Sequence, residues 1–265
     1  MNSSIEALYR TTRAQSEAFC APLNDEDCGL QAEDFVSPPK WHLAHTSWFF
    51  ETFLLKPFMQ GYHSPDRRYE MLFNSYYNGI GEQFPRPQRG LVSRPTMAQV
   101  LAYRCHVDSA MASLLAANHH PDRTAVIART ELGVEHERQH QELFFTDIKY
   151  SLAVNPLLPT YRDATWTEQA QVAATQWLSY TGGLVEIGFD GPGFCFDNEL
   201  PRHKAFVGPF ELADRLVPNT EYKPFIDEHG YQRPEVWPCG GRRAWRNRGG
   251  QAATHLWPQD GGRTE

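Results

Sequence analysis

Residues 122–154 read DRTAVIARTELGVEHERQHQELFFTDIKYSLAV, and this stretch decides the architecture of the N-terminal part of the chain. Its apolar residues recur at intervals of three and four and never alternate strictly, which predicts a long helix that Asn155-Pro156 brings to an end. Within it His136 and His140 stand four apart, on one face and about one turn from each other. Two imidazoles so spaced form either part of a solvated polar face or a bidentate clamp for one ion. The flanking Glu135, Glu137, Arg138, Gln139 and Glu142 favour solvation, so the pair alone leaves both open.

Three earlier segments carry the same period: IEALYRTTRAQSEAFCAPL (5–23), WHLAHTSWFFETFLLKPF (41–58) and TMAQVLAYRCHVDSAMASLLAAN (96–118). Ser37-Pro38-Pro39 punctuates the start of the second helix and Ser93-Arg94-Pro95-Thr96 the start of the third. Four helices joined by loops predict an antiparallel bundle over residues 1–155. A Gly-, Pro-, Tyr- and Arg-rich loop (71–94) interrupts it, and a long ordered loop of this kind is more often functional than idle.

The second helix reads as a strongly aromatic amphipathic segment. Trp41, Ala44, Trp48 and Phe49 share a face with His45, and His42 lies in the same arc. A histidine on such a face is commonly a hydrogen-bonded core residue, yet metal sites in bundles are built from facing helices in this way. One histidine from the second helix and two from the fourth would make a neutral three-imidazole site that leaves positions open for substrate. Imidazole suits zinc and ferrous iron alike, and Glu142 is the candidate for an outer group that orients the ligands.

Beyond residue 156 the writing changes. A linker (156–176) leads to short β-prone pieces over 177–237, with LVEIGF (184–189), FCF (194–196) and HKAFVGPFELA (203–213) as strands and NTEYKPFIDEHG (219–230) as a helix. The fold class predicted is α+β: a helical bundle, then an irregular mixed α/β domain. Residues 238–265 are rich in Gly and Arg, with one Leu as their only large aliphatic residue. That composition is expected of a degenerate tail, or of a disturbed reading frame near Trp237.

The remaining features are mostly exclusions. A net charge of −7 supplies no general attraction for nucleic acid or anionic lipid, and no apolar run approaches the length of a membrane span. The N-terminal MNSSIEALYR lacks the apolar core of a signal peptide, so a cytoplasmic chain is expected. Five scattered cysteines without a CxxC signal neither a disulfide framework nor a zinc knuckle; Cys105 and Cys195 read as small buried residues. There is no GxSxG, P-loop or GxGxxG motif.

The segments SPPKWHLAHTSWFFETFLL (37–55), LFNSYYNGIGEQFPRPQRGLVSRPT (72–96) and EHERQHQELFFTDIKY (135–150) together resemble the DinB-like bundle of the ergothioneine-type sulfoxide synthases, or hercynine oxygenases. Residues 182–237 look like the start of that family's second domain, which has the fold of formylglycine-generating enzymes, a C-type-lectin-like type. The resemblance implies non-haem Fe(II) held by His45, His136 and His140, and an O2-dependent joining of a thiol (cysteine or γ-glutamylcysteine) to the imidazole of hercynine. It implies that Gln139 helps position that imidazole and that Arg86 or Arg89 meets the carboxylate of the thiol substrate. The family's catalytic tyrosine is expected beyond residue 265, making the second domain here a truncated one. A zinc-dependent DinB-like thiol transferase or hydrolase, or a non-catalytic metal-binding remnant, is the alternative.

Overall fold

The computed structural model describes residues 2–75, 79–163 and 173–237, in two compact units, 1–163 and 164–265. The first is built on helices α1 (Asn2–Cys20), α2 (Pro39–Phe50), α3 (Lys56–Phe58), α4 (Tyr69–Leu72), α5 (Met97–Ala116) and α6 (Arg123–Ala153). A π-helical turn, Glu51–Leu55, joins α2 to α3 without a break, so the segment read as one helix over 41–58 is one continuous rod.

Local chemistry sets the ends. Pro39 sits at the first position of α2, where its missing N–H costs nothing and its fixed φ suits a helix. At the start of α5 the Thr96 hydroxyl accepts from Gln99 N at 3.2 Å while Gln99 Oε1 accepts from Thr96 N at 2.8 Å, a reciprocal cap. The loop between them holds a 3-10 segment, Arg86–Leu91.

Helix α2 is not amphipathic, contrary to the sequence expectation. Eleven of its twelve residues are buried, because α1, α5 and α6 surround it and give it no solvent face. Trp41, Leu43, Ala44, Trp48, Phe49 and Phe50 form the middle of the core, closed by Tyr9 from α1, Val107 and Met111 from α5, and Val134 and Phe144 from α6. Gly133 allows α6 to approach α2: a Cβ there would lie 2.5 Å from Phe50 Cε1 and 3.0 Å from Phe49 Cε1. Gly133→Ala is therefore expected to destabilise the unit by roughly 1–2 kcal/mol, overpacking outweighing alanine's better helix propensity, as read by urea unfolding.

A charged layer runs through this core. Arg13 (α1) and Arg104 (α5) both pair with Glu137 (α6), at 2.9 and 2.6 Å, and Ser16 donates to the same carboxylate at 2.6 Å. Arg13 also reaches Asp108 at 2.7 Å and Ser47 Oγ at 2.8 Å, so one network ties four helices. Glu137 is 1 % exposed. Burial alone would push its carboxyl up, but Arg104 and Arg13 pull it down to about 2.

The second unit holds two antiparallel ribbons. Strand β1 (Trp177–Tyr180) pairs with β4 (Phe210–Ala213), with Tyr180 opposite Phe210, and β2 (Gly183–Ile187) pairs with β3 (His203–Val207), with Ile187 opposite His203. Helix α7 (Asn219–Asp227) follows. Gly182 has φ +68° and lies so close to Val207 that a Cβ would stand 2.3 Å from its carbonyl oxygen, a conformation and contact that require glycine.

Residues 194–196 are not a strand. Gly191-Pro192-Gly193 breaks the chain before them, and Glu199 Oε2 caps the Phe196 N–H at 2.8 Å, turning the backbone into a short 3-10 segment. Among the described residues the buried cysteines are Cys20 and Cys28, whose thiols burial pushes up to about 12 and about 11, whereas Cys105 is exposed and Cys195 half-buried. Cys105 faces outward because its neighbours Tyr103, Arg104 and Val107 take the buried face of α5. The tail expected to be degenerate, 238–265, lies outside the described residues. No helix among the described residues is long and apolar enough to cross a membrane.

Candidate metal centre

The long period of α6 and the central position of α2 bring His45, His136 and His140 together. One ring nitrogen from each lies within 4.8 Å of the others. His45 Nε2 and His136 Nε2 are 3.2 Å apart. Two nitrogens each about 2.1 Å from one ion and subtending roughly 90–109° lie about 3.0–3.4 Å apart, so this spacing suits a shared ion.

Each imidazole is held by what surrounds it. His45 is fully enclosed: Trp41 stacks on it at 4.5 Å, Trp48 at 5.4 Å, and its Nδ1–H donates to the Phe73 carbonyl at 2.6 Å. That donation leaves the lone pair on Nε2, facing the other two histidines. Phe49 stacks on His136 at 4.5 Å, and His136 Nδ1 is buried with no hydrogen-bond partner among the described residues.

The electrostatics keep the cluster neutral. Burial lowers His136 to about 4, with Glu137 pulling weakly the other way. Burial, reinforced by the neighbouring imidazoles, holds His45 and His140 well below the ordinary histidine range. Three neutral imidazoles with no carboxylate among them form a donor set that a divalent zinc or iron ion fits. The ion would keep its full charge and its remaining positions would be open.

The other residues singled out from the sequence fall in different places. Arg89 is buried and stacks on Trp41 at 3.4 Å, with its terminal nitrogens donating to Ser37 Oγ and Ser75 Oγ, both at 2.9 Å. Arg86 donates to the Phe35 carbonyl and its own carbonyl accepts from Gln31 Nε2 at 2.8 Å. Gln139 is exposed on α6 next to His140.

Glu142 is exposed, and its backbone carbonyl accepts from Thr146 Oγ1 at 3.4 Å. Two positions along a helix turn the side chain by about 200°, so Glu142 points away from the face that carries His140. Among the described residues, the groups hydrogen-bonded to the three rings, apart from one another, are the Phe73 carbonyl and His42. Glu142, expected from the sequence to orient the ligands, is not one of them. Sequence reasoning had His42 in the right arc without a role and passed over Asp147, whose Oδ2 lies 3.1 Å from His42 Nε2; its place seven residues after His140 on the same stripe of α6 is the signal that could have drawn attention to it.

A protein named hercynine oxygenase from Mycolicibacterium thermoresistibile is 28% identical over 262 residues, covering 98% of this chain and 55% of that protein. Proteins of the same name from Mycolicibacterium smegmatis and Mycobacterium tuberculosis are 27% and 28% identical, covering 91% and 100% of this chain and 54% and 60% of theirs. The chain thus spans about half the length of the curated relatives it matches. The DinB superfamily matches residues 8–144, a span that begins in α1 and contains all three clustered histidines. With that match over half the sequence and a helical unit to go with it, the chain belongs to the DinB superfamily.

Proposed function

We propose that this chain is an Fe(II)- and O2-dependent sulfoxide synthase of the hercynine oxygenase kind, joining the sulfur of cysteine or γ-glutamylcysteine to the imidazole of hercynine in ergothioneine biosynthesis. The observation that carries the proposal is the cluster of three neutral imidazoles on two facing helices, in a chain that aligns over nearly its whole length with proteins of that name. A ferrous ion held there by His45, His136 and His140 supplies a centre at which thiol, imidazole and O2 are gathered, a proximity that an untethered three-body reaction lacks.

The protein's part is positioning. Trp41, Trp48 and the Phe73 carbonyl fix the plane and tautomer of His45, so its donor atom is set before any ion arrives. Phe49 does the same for the plane of His136. Gln139, exposed beside His140, is assigned to the substrate imidazole, which its side-chain amide can both donate to and accept from. Arg86 and Arg89 are assigned to the carboxylate of the thiol substrate. The bonds from Arg89 to Ser37 and Ser75 use two of its five N–H donors.

A zinc-dependent thiol transferase or hydrolase uses the same donor set, since no ligand here discriminates the two metals. Oxygen consumption by anaerobically purified, iron-loaded protein separates them. The proposal expects uptake that requires iron, hercynine and a thiol together, with a product joining the two substrates by mass spectrometry. Tightly bound zinc with no O2-dependent turnover overturns it in favour of the zinc enzyme.

A further inference from the structure

We infer that His42 and Asp147 form a relay that fixes the tautomer of His140 and so presents its Nε2 to the metal, an inference that rests on the three-histidine reading above. Asp147 is buried on α6; its Oδ2 accepts from the Ser37 backbone N–H at 2.9 Å and lies 3.1 Å from His42 Nε2. A carboxylate only accepts, so the proton on His42 sits on Nε2. The other ring nitrogen of a singly protonated His42 is then an acceptor, and it lies 2.9 Å from His140 Nδ1. His140 must supply the proton of that bond from Nδ1, which leaves its lone pair on Nε2.

The arrangement parallels His45, where the Phe73 carbonyl sets the same Nδ1–H tautomer. Histidine–metal sites regularly carry such a carboxylate or carbonyl behind the ligand. Here the carboxylate acts through a second imidazole. The reason is geometric: Asp147 stands about two turns along α6 from His140, too far for direct contact, and the ring of His42 from the facing helix spans the gap. His42 is a positioning residue and does not join the ligand cluster, whose members are His45, His136 and His140.

The relay is tested on the full chain with Co(II) as the probe metal, reading affinity by chelator competition and the tautomer of His140 by its 15N shifts in the metal-free protein. Wild type is expected to show the Nδ1–H tautomer. His42→Leu is expected to lose affinity by about 10–100-fold and Asp147→Ala by about tenfold, both with mixed tautomers at His140. His42→Gln, whose side-chain oxygen can accept from His140 Nδ1–H, is expected to recover most of the loss, which a purely packing role would not predict. An Nε2–H tautomer in wild type overturns the inference without any variant. So does wild-type affinity in a folded His42→Leu protein while His140→Ala has lost binding. If His45→Ala and His140→Ala themselves bind as wild type does, the three-histidine reading fails first.

Discussion

Glu137→Ala is expected to lower the stability of the helical unit by about 3–5 kcal/mol, because it removes the buried carboxylate that Arg13 and Arg104 share and leaves these two buried guanidinium groups only the more exposed Asp108 and Glu17 as charged partners. For a unit of this size that corresponds to a fall in its unfolding midpoint of roughly 10 °C, measurable by circular dichroism. The pH dependence has a definite sign. Glu137 titrates at about 2 in the fold against an ordinary 4.5, so its contribution is complete above that ordinary value and disappears as pH falls towards 2. The difference between wild type and variant should accordingly narrow below about pH 4.5. A gap under 1 kcal/mol at neutral pH would mean that the paired charges do not hold the four helices together.

Single replacement of His45, His136 or His140 by alanine is expected to weaken divalent metal binding by more than about a hundredfold, since loss of a mere outer-shell partner already costs 10–100-fold. Substrate-dependent oxygen uptake should vanish with it. The three variants are expected to differ in stability. His45 fills the space between Trp41 and Trp48 in the core, so its truncation leaves a cavity, whereas His136 and His140 are only half-buried. Unfolding midpoints measured alongside metal affinity separate the two effects: His140→Ala should lose the metal while keeping nearly the wild-type midpoint.

The sequence made part of the histidine cluster legible because that part of the signal is local. His136 and His140 are set by helical period, whereas the apolar run of the second helix carries His42 and His45 alike and only the family resemblance singles out His45. Glu137 was illegible for the opposite reason. Beside Glu135, Arg138 and Gln139 it reads as one more solvated charge, and its partners Arg13 and Arg104 are 124 and 33 residues away. The burial of α2 on every side was hidden likewise, since amphipathic spacing describes a helix with one wet face and this one is enclosed by three others.

In the second unit LVEIGF was visible as a strand, whereas HKAFVGPFELA, read as one piece, divides at Gly208-Pro209 into β3 and β4, which pair with different strands. The four-residue WLSY (177–180) was missed, its partner lying more than thirty residues on, and FCF was misread because apolar composition outweighed the Gly-Pro-Gly before it.

X-ray absorption at the metal edge of the anaerobically iron-loaded protein addresses the central claim most directly. Three imidazole nitrogens per iron, one iron per chain and no sulfur ligand in the absence of substrate are what the His45–His136–His140 cluster predicts. An iron with a thiolate sulfur from the protein, or with fewer than two imidazoles, would contradict it.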